Sequence, residues 1–402
     1  MRLLHVIRTL NPVFGGPTDS VRMFAGAHRR AGNEVEVATL DDPAADFSRL
    51  PEGDVHALGP TRGNYHYQPR LEEWLKANYG RFDGVIVNGI WQYHALAARR
   101  AVAGRRPYVV FAHGMLDPYF ARRYPLKHVK KLVYWLLYER KNLNLANAVC
   151  FTSEEEMRIA GKGFPLARFR RVVVPYGTIG PEGGSDRVRA AFRAAVPALG
   201  DKRFFLFLGR LHPKKGCDLL LDAFAKAAPS GMDLVMVGPD EVGIQKDLEA
   251  QSARLGIAAR VHWTGTLRGD LKWGAFYAAD AFVLPSHQEN FGIAVADALA
   301  CGAIPLISDK VNIARDVEAA GAALVEPDTI EGTIRLIERF SAMPESERAA
   351  MRMRAHDLYS QRYSLRNVAQ EVYKALGLES GVAAAHSAEA AQVGNALGES
   401  AQ

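Results

Sequence analysis

The chain has 402 residues, room for two domains of ordinary size. It is 48% hydrophobic and 23% charged, with a net charge of +6, the balance of a soluble globular protein that is modestly basic. No run approaches the ~20 apolar residues of a membrane-spanning helix. The three cysteines, Cys150, Cys217 and Cys301, show neither metal-ligand nor redox spacing and read as buried free thiols of a reducing cytosol.

Taken in chain order, the first apolar run, residues 3–7, is too short for a signal peptide and reads as a buried strand. Further strand-like runs follow at 35–39, 85–87, 108–112, 148–152 and 172–174. A second series begins at 204–208 and continues at 234–237, 261–263, 281–284, 304–307 and 322–325. Helical patterns separate them, for example at 216–228, 271–279 and 293–300, and 330–376 is helical throughout. This alternation predicts an α/β fold of two doubly wound, Rossmann-like parallel-sheet domains. The Gly- and Pro-rich break at 180–185 puts the boundary between 1–185 and 186–378. The Ala-, Ser- and Gly-rich tail, 379–402, has no apolar periodicity and is expected to be disordered.

The motifs mostly fall just after strands, where open α/β sheets bind ligands. After the first strand, Gly15 and Gly16 allow a tight turn and close backbone approach, and Pro17 suits a first helical turn. This is not Gly-x-Gly-x-x-Gly, which argues against a dinucleotide-dependent dehydrogenase. His113 and Gly114 follow the strand at 108–112, where a cleft residue belongs. From Arg99 to Lys141 the chain has eleven Lys/Arg against two Asp/Glu, a local charge of +9. Aromatic and aliphatic residues interleave there, and 119–141 reads either as a surface for anionic lipid or as core aromatics beside a solvated basic face. Without a recognisable motif, nucleic acid is not an expected partner.

In the second half, Arg210 and Lys215 flank a turn that enters a helix. Farther on, Glu289-Asn290-Phe291-Gly292-Ile293 opens a helix, and Asp297 lies eight residues beyond Glu289, a span of roughly 12 Å in helical rise. Gly292 leaves the helix start bare, with free N–H groups and the positive end of the dipole available to an anion. The stretch has the dimensions of a clamp on the sugar and ribose of a sugar nucleotide. No Asp-x-Asp pair occurs anywhere, so no catalytic metal and no other cofactor is expected.

Glu289-x7-Asp297, Gly209-Arg210-Leu211 with Lys215-Gly216, His113 and the Gly15-Gly16 loop together resemble the retaining GT-B glycosyltransferases of glycosyltransferase family 4 type. The resemblance covers about residues 1–375 and is most specific over 204–310. It implies a GT-B architecture with a cleft between the domains and last helices that cross back to the first. It further implies a UDP- or GDP-linked sugar donor and a polysaccharide or lipid-linked oligosaccharide acceptor of a bacterial envelope. Arg210 and Lys215 would hold the pyrophosphate, Glu289 with the backbone around Asn290, Phe291, Gly292 and Ile293 the sugar, and Asp297 the ribose. The loop bearing Leu267 would border the nucleobase, and His113 with Gly15 and Gly16 would frame the reaction centre. Two positions depart from the pattern: Asp297 is one methylene short of the usual Glu, and Tyr176 replaces the usual Asn after the strand at 172–174. The rival readings are a non-catalytic, glycosyltransferase-like binding subunit and a sugar-nucleotide epimerase of the same fold. The expected location is cytoplasmic, peripheral at the inner face of the plasma membrane.

Overall fold

A computed structural model describes residues 1–378, apart from 15, 48–49, 51–53, 118–124, 161, 163 and 182–183, and apart from the side chains of 125–127. Gly15, Tyr119, Phe120, Tyr124, the Lys127 side chain and the 379–402 tail therefore lie outside the described residues. The chain forms two units. The first comprises Met1–Val174 together with the segment that begins at Leu365, and the second is Pro175–Ser364.

The first unit is built on a seven-stranded parallel sheet in the order β3-β2-β1-β4-β5-β6-β7. Its strands are β1 (Arg2–Ile7), β2 (Glu34–Thr39), β3 (Asp54–Ala57), β4 (Gly84–Asn88), β5 (Tyr108–Phe111), β6 (Ala148–Phe151) and β7 (Arg171–Val173). Strands β4, β5 and β6 are buried at every position, as expected of central strands covered on both faces. The helix Gly16–Arg30 buries Val21, Phe24 and His28, one stripe at helical spacing, and turns Arg29 and Arg30 outward at its C-terminal end. The helix Leu365–Leu376 buries Val368, Val372 and Ala375 in the same way. It lies so close to β4 that a Cβ on Gly84 would meet Leu376 Cδ1 at 2.9 Å. Tyr373 of this helix hydrogen-bonds His28 Nδ1 at 2.8 Å and accepts from Asn33 Nδ2 at 2.7 Å.

The second unit carries a six-stranded parallel sheet in the order β10-β9-β8-β11-β12-β13. Its strands are β8 (Arg203–Leu208), β9 (Met232–Val237), β10 (Val261–Gly265), β11 (Ala281–Leu284), β12 (Ile304–Ser308) and β13 (Leu324–Glu326). Phe204, Phe205, Leu206 and Phe207 of β8 are all fully buried, so helices cover this sheet on both faces as well. Residues 175–178 also belong to this unit. Tyr176 packs edge-on against Phe291 at 5.4 Å, and Thr178 N–H donates to Tyr363 O at 3.0 Å. The division at Val174/Pro175 thus lies eleven residues before the 185/186 boundary placed from the sequence. The apolar Tyr176 and the hydroxyl of Thr178 commit those residues to the second sheet's unit first.

Candidate active site

In the second unit, two turns meet because a glycine leaves room for backbone. Gly216 stands at φ +66°, and a Cβ there would lie 2.3 Å from Pro285 O. His287 N–H donates to Lys214 O at 2.8 Å across the same contact. The turn after β8 is thereby fastened to the loop after β11, and Lys215 Nζ reaches the Glu289 carboxylate as an ion pair. Both side chains are mostly enclosed, with exposures of 16% and 19%. The loop is also anchored from beyond β12: Glu289 N–H donates to Lys310 O at 3.1 Å, and Asn312 N–H donates to Glu289 O at 3.0 Å.

Gly292 adopts φ +89°, a left-handed conformation that glycine enters without strain, and starts the helix Ile293–Ala300 with no side-chain cap. The first-turn N–H groups and the dipole therefore favour an anion beside Glu289 and Lys215. Phe291 is buried between Tyr176 and Tyr363, so its contribution at the surface is its backbone. Asn290 and Ile293 are exposed. Arg210 lies on the exposed face of the same turn and donates to Glu241 at 3.0 Å, a loose pair that a stronger anion would displace. Leu267 is half-exposed in the loop after β10.

Asp297 is buried at 3% exposure. Its Oδ1 accepts from Thr178 Oγ1 at 2.6 Å and its Oδ2 from Lys272 Nζ at 3.0 Å. Lys272 in turn lies 3.7 Å over the Trp273 ring. Thr178 and Lys272 escaped the sequence reading. Both are distant from Asp297 in sequence, and no local pattern marks them.

In the first unit, Gly16 begins a helix and has open space where a Cβ would point. His113 sits at φ +49°, two residues past the end of β5. Its turn is held by Glu156, whose Oε1 accepts from Gly114 N at 2.6 Å while Oε2 takes the Thr152 N–H and hydroxyl at 2.7 Å. Glu156 stands in the Ser-x-x-Glu pattern of a capped helix, since Ser153 Oγ accepts from Glu156 N. That pattern is the signal by which it was findable. Burial, with His94 and His5 nearby, lowers the His113 pKa to about 3. The ring is therefore neutral at physiological pH, suited to hydrogen bonding and not to delivering a proton from an imidazolium.

Beside this turn lies a cavity of about 530 Å³, walled by Arg8, Phe14, Asn88, Trp91, Met115 and Lys131 among others. Phe14 and Met115 flank the Gly16 and His113 positions in sequence, while the cavity wall itself was not foreseen. Among the described residues, no three His, Cys, Asp or Glu side chains are grouped as a metal site. Likewise among them, no helix is long and apolar enough to cross a membrane.

Comparison with known proteins agrees with this anatomy. Residues 15–177 match the glycosyl transferase 4-like domain, and residues 188–357 match the glycosyl transferases group 1. The chain belongs to the glycosyltransferases of this two-domain, family 4 type. It is 27% identical over 381 residues to a GDP-mannose:cellobiosyl-diphosphopolyprenol alpha-mannosyltransferase of Komagataeibacter xylinus, covering 92% of this chain and 91% of that protein. It is equally identical over 396 residues to a protein of the same description from Xanthomonas oryzae, covering 94% and 98%. Among solved structures, Anabaena HepE in complex with UDP superposes with a TM-score of 0.72 at 21% identity, over 94% of this chain and all of that one. The fold is GT-B.

Proposed function

We propose that the protein transfers a sugar, with retention of configuration and without a metal ion, from a UDP- or GDP-linked donor to a lipid-linked glycan. The observation that carries this reading is the enclosed Lys215–Glu289 pair at the uncapped start of the helix Ile293–Ala300. A leaving nucleoside diphosphate gains negative charge as the glycosidic bond breaks. Lys215, Arg210 and the helix N–H groups stabilise that charge electrostatically, the task a divalent cation performs elsewhere. Glu289 then exchanges its bond to Lys215 for the hydroxyls of the donor sugar. Leu267 borders the base. Asp297 serves the ribose only if Lys272 or Thr178 yields one carboxylate oxygen, and otherwise it braces the helix beneath the site.

In the first unit, His113 and the backbone at Gly16 are neutral hydrogen-bonding groups of the kind that a sugar hydroxyl meets. The relatives described as acting on a cellobiosyl-diphosphopolyprenol support an acceptor of that kind. The helix Pro125–Tyr134 and the π-helical turn after it (Trp135–Glu139) expose Val129, Val133, Leu136 and Leu137, with Lys130 and Lys141 exposed beside them. An anionic bilayer surface matches that mixture, so the protein would work peripherally at the inner face of the plasma membrane.

The test is transfer from a panel of UDP- and GDP-sugars to a disaccharide-diphosphopolyprenol in excess EDTA, with the linkage read by NMR. An α-linked product from an α-configured donor supports the reading. A β-linked product, or activity abolished by EDTA and restored by Mg²⁺, contradicts it. Interconversion of the sugar nucleotide without acceptor would identify an epimerase.

A further inference from the structure

His113 (φ +49°) and Gly114 (φ +75°) are successive residues in the left-handed region. Glycine enters that region without strain, but histidine keeps such a backbone only where its surroundings impose it. A turn with no task beyond leading the chain away from β5 would carry glycine at both positions. The strain falls instead on the residue whose neutral ring is suited to a sugar hydroxyl. That ring lies 5.7 Å from the Phe111 ring, stacked at 22°.

The group that imposes this backbone is Glu156, buried at 5% exposure and carried by the helix Glu154–Ile159 after β6. Its Oε1 accepts from Gly114 N at 2.6 Å, and its Oε2 accepts from Thr152 N and Oγ1, each at 2.7 Å. Strands β5 and β6 are neighbours in the sheet, so one carboxylate ties their two ends together. The Gly114 N–H belongs to the planar peptide that joins it to His113. Fixing that N–H fixes the ψ of His113, and with it the direction in which the ring leaves the chain. Met115 N–H donates to Ala112 O at 3.0 Å and the Trp91 indole N–H to Met115 O at 3.0 Å, which fastens the rest of the turn. Charge-assisted bonds of the kind Glu156 makes are short and strong. A buried carboxylate is nevertheless a costly way to hold a loop, and a backbone carbonyl would serve a turn that only had to be stable.

We propose that Glu156 is a positioning residue of the transfer reaction: by holding the His113–Gly114 peptide, it sets the direction of the His113 ring. This rests on the part given to His113 under the proposed function and adds the group that makes that part possible. Glu156 itself touches no substrate and exchanges no proton with one.

The experiment is a double-mutant cycle in the full chain: wild type, Glu156→Gln, His113→Ala and the two together. Transfer is measured from the panel of UDP- and GDP-sugars to a disaccharide-diphosphopolyprenol, binding of UDP and GDP by calorimetry, and exchange of the Gly114 amide by NMR. Either orientation of the amide in Glu156→Gln sets an N–H against a donor of Gly114 or Thr152. The substitution is expected to lower kcat by about tenfold or more and to leave UDP and GDP affinity within about twofold. In the His113→Ala background it should change kcat by less than about twofold, because the ring it positions is gone. The Gly114 amide should exchange faster in Glu156→Gln than in the wild type. An unchanged kcat in Glu156→Gln overturns the proposal. A loss that multiplies with that of His113→Ala also overturns it, since the carboxylate would then act on something other than the ring. If Glu156→Gln fails to fold, Thr152→Val, which removes one donor to Oε2, takes its place in the cycle with the same two outcomes. A His113→Ala variant with wild-type kcat removes this proposal and leaves the transferase standing. No turnover of any donor by the wild type removes the proposed function and this inference with it.

Discussion

Lys215 Nζ is paired with the Glu289 carboxylate inside the second unit, joining the turn after β8 to the loop after β11. A cation and an anion that balance each other in this way give a site that changes partners without changing net charge. On the proposed function, a diphosphate would draw Lys215 to itself and release Glu289 to accept from sugar hydroxyls, so that each residue holds the other in position until the donor binds.

Lys215→Ala removes the charge opposite the leaving group and strands Glu289 in a site that is mostly enclosed. Transfer should fall by about 10²-fold in kcat. The melting temperature should move little, because an ion pair with partial access to water contributes about 1 kcal/mol or less. Steady-state kinetics beside a thermal melt checks both. A variant that melts far lower and keeps its kcat would make the pair structural.

Asp297 presents the opposite case. Replacing it with the longer Glu usual in the family introduces a methylene into a site that is 3% exposed and already filled by Thr178 and Lys272. Overpacking of this kind costs about 1–3 kcal/mol. Thr178→Val, which removes a hydrogen bond to the buried carboxylate, should cost a similar 1.5–3 kcal/mol or so. Urea unfolding of both variants tests the expectation. A stabilised Asp297→Glu would show that the wild-type packing has room to spare.

Buried titratable groups of the first unit give stability two opposed pH dependences. Burial lowers His28 and His113 to about 3 and His94 to about 4, below the ordinary 6.5. Each contributes stability that is complete above pH 6.5 and is lost as pH falls toward its folded pKa, at about 1.4 kcal/mol per pH unit. Glu139 is raised from 4.5 to about 7, first by burial. Its carboxyl costs nothing below pH 4.5 and destabilises progressively as pH rises to 7. Relative to wild type, Glu139→Gln should therefore gain about 3 kcal/mol between pH 4.5 and pH 7 and no more above it. Denaturant titrations at pH 5, 6, 7 and 8 measure the difference, and a constant offset across that range would contradict the assignment.

Val133 and Leu137 are exposed at 54% and 58% on the basic segment. If this surface rests on lipid, Val133→Asp should reduce sedimentation with vesicles containing anionic phospholipid, and salt should weaken the wild type, since each basic residue near such a surface contributes roughly 1 kcal/mol. Equal sedimentation of variant and wild type would exclude this face as the contact.

Much of this anatomy is legible in the sequence where neighbours in the chain are also neighbours in space. Phe204 to Leu208, a continuous apolar run, announces β8, and Glu289 with Gly292 marks the start of its helix within four residues. β3, Asp54–Ala57, was not foreseen, because an edge strand that is nowhere fully buried has no apolar run to reveal it. The same limit hid the cavity. Arg8, Trp91 and Lys131 come from β1's end, the turn after β4 and a distant helix, and only the sheet order 1-4-5 brings them together. Trp91's left-handed backbone and the Thr178–Asp297 bond, across 119 positions, likewise have no local signature.

The most direct test of the donor site is calorimetric titration of UDP and GDP into wild type, Arg210→Ala and Lys215→Ala. The account predicts that one nucleotide binds the wild type and that each substitution weakens it by about tenfold or more, in keeping with lost charge-assisted bonds to phosphate. Binding of neither nucleotide, or equal binding in all three proteins, would contradict it.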